Sequence, residues 1–103
     1  MTEISFADRV VIVTGGGRGL GEAYSRELAR RGAAVVVHDN GVDTAGCGRD
    51  PGPANDVAAA IVSEGGRAVP CAADASSVDG GQEAVDLAVR EYGRLDAIVA
   101  NAG

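Results

Sequence analysis

The chain contains no lysine; all nine basic residues are arginine, and they form no stripe. Set against fifteen acids they leave a net charge of −6, so binding to a nucleic-acid phosphate backbone has no support. Cysteine is scarce. Cys47 and Cys71 are far apart and have no nearby histidine pair, which argues for reduced thiols and against a metal site. No apolar run is long enough to span a bilayer. Met1 to Asp8 holds no basic segment leading into an apolar stretch, so no secretory signal is expected. These absences together predict a cytoplasmic protein that engages neither membrane nor nucleic acid.

Glycine is abundant, at 16 of 103 residues, and clusters at a few places where turns or close backbone approaches are needed. Between the clusters the pattern alternates. Val10 to Val13 is a β-branched run without polar alternation, as a strand buried on both faces requires. Gly19 to Arg31 follows with helical periodicity, Leu20, Tyr24 and Leu28 marking the apolar side, and Gly32 stands where a helix ends. Ala33 to His38 predicts a second strand, and Asn40 to Pro53 an irregular loop. Val57 and Ile61 mark a second helix closed by Gly65 and Gly66, and Arg67 to Cys71 a third strand. Ser76 or Ser77 is placed to cap a third helix with Val78, Val85, Val89 and Tyr92 on its apolar side. Leu95 to Ala100 supplies a fourth strand.

This βαβαβαβ order predicts an α/β fold of Rossmann type: a doubly wound parallel sheet with right-handed crossovers. If the strand order is 3-2-1-4, nucleotides bind at the switch point between the first and fourth strands. The chain reaches Gly103 directly after an apolar fourth strand. The expectation is therefore an incomplete fold, residues 1–103 forming the N-terminal part of a single dinucleotide-binding domain.

Thr14-Gly15-Gly16-Gly17-Arg18-Gly19-Leu20-Gly21 joins the first strand to the first helix. Glycines there let the backbone approach a pyrophosphate, and the helix start offers N–H groups and a positive dipole end. Asp39 lies about 20 residues further on, at the end of the second strand, where an acid bonds adenosine ribose hydroxyls. It would repel a 2′-phosphate and so favours NAD over NADP, whereas Arg18 pulls mildly the other way. His38 points to the opposite side of the strand and reads as a packing or surface residue. Asp74 and Ala75 follow the third strand at the same rim, placed to meet the adenine.

On these residues the chain resembles the short-chain dehydrogenase/reductase family. Thr14-Gly15-x-x-x-Gly19-x-Gly21 is similar to its cofactor signature, and Asn101-Ala102-Gly103 to the end of its N-N-A-G motif, with Ala100 replacing the first asparagine. The resemblance implies that Gly15, Arg18, Gly19 and Leu20 surround the pyrophosphate and adenosine, Asp39 holds the ribose, and Asp74 and Ala75 the adenine. Asn101, Ala102 and Gly103 would line the nicotinamide side. A finer similarity, through Val37 to Gly41 and Gly65 to Val69, is to (3R)-hydroxyacyl-CoA dehydrogenase units of multifunctional enzymes. That subgroup has N-D-L-G-G where this chain has His38-Asp39-Asn40-Gly41-Val42.

The family's catalytic serine, Tyr-x-x-x-Lys pair and further asparagine lie beyond the N-A-G motif. Neither Tyr24 nor Tyr92 has a lysine four residues on, so no catalytic residue is expected within these 103 residues. The implied parent is a homo-oligomeric, NAD-dependent oxidoreductase acting on small alcohols or carbonyls. A non-catalytic module that binds a dinucleotide or a partner is the alternative. Another Rossmann-type class, such as a methyltransferase, fits the motifs less well.

Overall fold

The computed structural model describes residues 5–39, 52–73 and 78–101. Four strands, β1 (Val10–Thr14), β2 (Ala34–His38), β3 (Arg67–Cys71) and β4 (Ala97–Ala100), alternate with three helices. The helices are α1 (Gly19–Arg30), α2 (Gly52–Ser63) and α3 (Val78–Tyr92). All strand pairings are parallel and the order is β3-β2-β1-β4. The α/β Rossmann-type architecture expected from the alternation is therefore present.

Successive residues of a strand face opposite sides of the sheet, so an unbroken run of valines feeds two cores. Val11, Val13, Val35 and Val37 pack on one side with Val57 and Ile61 of α2. Val10, Ile12 and Val36 pack on the other with Ala84 and Ala88 of α3. Helices α1 and α2 thus cover one face and α3 the other. Pro70 sits in β3, an edge strand, where its missing N–H costs the ladder least.

Three local expectations are corrected. The buried row of α1 is Gly21, Ser25 and Ala29, while Leu20 and Tyr24 are exposed. In α3 the buried row is Gly80, Ala84 and Ala88, with Val78 and Val89 exposed and Val85 and Tyr92 at the margin. Both helices lie close against the sheet, where only small side chains fit beneath the axis. Helix α2 begins at Gly52, so Gly52 and Pro53 belong to it and not to the preceding loop. Proline is well suited to a first helical turn, whose N–H groups have no partner within the helix. The Ser76 and Ser77 caps, Cys47 and most of the predicted loop lie outside the described residues.

Candidate nucleotide site at the carboxyl rim

Thr14 is the last residue of β1, and the chain leaves the sheet at Gly15, whose N–H donates to the His38 carbonyl at 2.7 Å. The glycine loop is thereby tied across to the end of β2. Arg18 occupies the extended N-cap position of α1 and makes no side-chain capping bond. Ser, Thr, Asp and Asn are favoured at such a position because they satisfy the first-turn amides. The Arg18 side chain leaves those amides to other partners.

Gly21 explains why the loop and helix need glycine. A Cβ there would sit 2.0 Å from the Gly15 carbonyl oxygen and 2.7 Å from Asn101 Nδ2. The first turn of α1 therefore touches both the loop that precedes it and the residue after β4. Ser25, one turn on and fully buried, places its hydroxyl 2.9 Å from the Gly21 carbonyl and 3.3 Å from that of Gly16.

Asp39 is nearly buried, at 4% exposure. Its Oδ2 accepts the Gly17 N–H at 3.1 Å, and Arg18 Nη2 reaches its Oδ1 at 3.4 Å. The two residues expected to pull the cofactor choice in opposite directions are thus an ion pair. The neighbouring His38 is also buried, its Nε2 at 2.8 Å from the Ala73 carbonyl, in agreement with a packing role.

At the end of β4, the Asn101 N–H donates to Thr14 Oγ1 at 2.9 Å, and the Thr14 hydroxyl donates to the Val99 carbonyl at 3.3 Å. This link holds β1 and β4 together at the switch point. The threonine of the glycine motif has a legible role only once β4 is known to lie beside β1; Ser25, too, carried no signal in the pattern. Gly15, Arg18, Gly19, Leu20, Asp39 and Asn101 therefore come together at one rim of the sheet, with Leu20 exposed. Asp74, Ala75, Ala102 and Gly103 lie outside the described residues.

Tyr92 is far from this rim, at the end of α3, with the Arg67 guanidinium 5.9 Å from its ring centre. Burial raises its phenol above the ordinary value of 10.0, partly opposed by Arg67 and reinforced by Glu91. A tyrosine that must give up its proton needs the reverse. A hollow of about 450 Å³ also lies away from the rim, between α1 and the turn after α2. Arg26 on its wall pairs with Glu22 at 2.9 Å and Glu64 at 3.3 Å, so its charges close on one another.

A short chain dehydrogenase family model matches residues 9–103. The chain belongs to the short-chain dehydrogenase family. It is 45% identical over 100 residues to the peroxisomal multifunctional enzyme type 2 of Mus musculus, covering 97% of this chain and 13% of that enzyme. Among solved structures it matches a short chain dehydrogenase from Mycobacterium avium with TM-score 0.83 and 40% identity, over 94% of this chain and 35% of that one. It also matches a 7α-hydroxysteroid dehydrogenase complexed with NADH, with TM-score 0.79 and 29% identity, over 91% and 33% of the two chains. The chain thus spans a minor part of the relatives it matches.

The expectation of a cytoplasmic protein is overturned. Peroxisomal enzymes of Neurospora crassa, Saccharomyces cerevisiae and Dictyostelium discoideum match at 41%, 43% and 42% identity beside the mouse enzyme. Composition cannot separate the two compartments, because a peroxisomal address is a short signal read by a receptor and leaves the rest of the chain unaltered.

Proposed function

We propose that this chain is the nucleotide-binding part of an NAD-dependent oxidoreductase that moves hydride between nicotinamide and an alcohol or carbonyl substrate. The observation that carries this reading is the glycine-loop start of α1, which has no side-chain cap, beside Asp39 at the carboxyl rim. Backbone N–H groups of Gly19 and Leu20 suit a pyrophosphate, and the Gly21 approach shows that the backbone there leaves no room for a side chain. NAD, when bound, supplies or accepts the hydride. The chain's own part is to fix the dinucleotide: Gly15, Arg18, Gly19 and Leu20 around the pyrophosphate, Asp39 at the ribose, and Asn101 near the nicotinamide end. Asp74 and Ala75 at the adenine, with Ala102 and Gly103 beside Asn101, complete the proposed set.

Residues 1–103 form, in this reading, the first part of one dinucleotide-binding domain, and the proton-transfer groups belong to other parts of the polypeptide. The absence of lysine from the sequence and the raised Tyr92 phenol support that division. A peroxisomal location is proposed, supported by the similarity to the peroxisomal enzymes, and the parent is proposed to be a homo-oligomer. Titration with NAD+ and NADP+ tests the cofactor choice. NAD+ is expected to bind at least about tenfold more tightly, a difference of about 1.4 kcal/mol. Equal or reversed affinities would show that Arg18 governs the choice.

A further inference from the structure

His38 ends β2 with a strand on each side, opposite Thr14 of β1 and Cys71 of β3. Toward β1 its carbonyl accepts the Gly15 N–H at 2.7 Å and the Gly16 N–H at 3.4 Å, which ties the glycine loop to the sheet. Toward β3 the backbone link at this level is the Asp39 N–H to the Cys71 carbonyl, at 3.0 Å. Ala73 lies past the end of β3, and there the His38 ring takes over: its Nε2 is 2.8 Å from the Ala73 carbonyl. A carbonyl oxygen can only accept, so Nε2 carries the ring proton and donates it. Both residues are buried, at 1% and 4% exposure, so water does not replace the donor if the ring is lost. An apolar residue could fill the same space but could not make this bond.

We propose that His38 is a positioning residue for the nucleotide: its ring straps the chain leaving β3 to the strand end that also holds the glycine loop. One residue then sets the spacing of two walls, through its backbone toward the loop and through its side chain toward Ala73. The consequence for binding rests on the reading above, which gives the ribose to Asp39 and the adenine to Asp74 and Ala75. The strap itself stands without that reading. The ring is buried, so it acts through Ala73 and not on the ligand.

Titration of the full-length polypeptide with AMP, nicotinamide mononucleotide and NAD+ tests this. His38→Leu removes the ring donor, whereas His38→Gln keeps an N–H donor at similar reach. His38→Leu is expected to weaken AMP and NAD+ by about fivefold, the scale of one net hydrogen bond, and to leave nicotinamide mononucleotide unchanged. His38→Gln should recover most of that loss. Equal weakening of both mononucleotides overturns the proposal. So does a destabilised His38→Leu that binds AMP as the native protein does, because the ring is then packing alone. If His38→Leu does not fold, NMR of the native protein decides the matter. The ring proton should sit on Nε2, exchange slowly, and shift with AMP but not with nicotinamide mononucleotide. A proton on Nδ1 overturns the strap, and a ring signal indifferent to AMP overturns its part in binding. A native protein that binds no nucleotide sinks the proposed function, and the Nε2 proton then tests the strap by itself.

Discussion

The two rims of the sheet are built in different ways. At the amino rim, side chains close the structure on itself. Asp96 Oδ2 accepts the Val10 N–H at 2.8 Å, and its Oδ1 is met by Arg94 at 2.6 Å and Arg9 at 3.5 Å. The Asp96 N–H returns a bond to the Val10 carbonyl at 2.9 Å, so β1 and β4 are fastened by charge and backbone together. Arg31 and Glu27 pair at the end of α1, at 2.6 Å. At the carboxyl rim, glycine backbone, a threonine hydroxyl and one shared carboxylate hold the parts, and the helix start has no side-chain cap. Stability is anchored at one end, and backbone donors are presented at the other, where open α/β sheets bind ligands.

The contrast can be broken most severely at Gly21. Gly21→Ala forces the Gly15 carbonyl and Asn101 apart, and is expected to cost about 3 kcal/mol, read from the urea midpoint, with loss of NAD+ binding. Thr14→Val removes the hydroxyl joining β1 to Asn101 and should cost about 1 kcal/mol, while Thr14→Ser restores it. An unchanged midpoint would mean the carboxyl rim is held by something else. Gly19→Ala meets open space but a positive φ of 55°, so the cost should be backbone strain alone, about 1 kcal/mol.

The smallest effect belongs to the amino rim and depends on pH. Hydrogen bonds from Arg94 and then Val10 hold the Asp96 carboxyl below its ordinary value of 3.8. A depressed folded-state value means Asp96 stabilises the fold above that pH and loses the contribution as acid protonates it. Urea midpoints of the native chain should therefore fall more steeply below about pH 4 than those of Asp96→Asn, given the ordinary carboxylate value. Parallel profiles would show that Asp96 does not fasten this rim.

The strands were legible because Val10 to Val13 and Ala34 to Val37 are short apolar runs without polar alternation, the pattern of a strand buried on both faces. Asp39 was legible as an acid ending a strand. The buried faces of α1 and α3 were not, because two rows share the same spacing. Leu20, Tyr24, Leu28 and Gly21, Ser25, Ala29 differ by one residue, and hydrophobicity selects the bulky row while the sheet has room only for the small one. The pairing of Arg18 with Asp39 and of Thr14 with Asn101 joins residues far apart in sequence. Such pairs become visible only when the strand order is known. The fastening at Asp96 went unread for the same reason.

Amide shift mapping by NMR during titration with NAD+ tests the division of the two rims directly. Changes are predicted at Gly15 to Leu20, Asp39 and Asn101, with Val10 and Arg94 to Asp96 unmoved. Changes centred on the amino rim, or none at millimolar NAD+, would contradict a nucleotide site at the carboxyl rim.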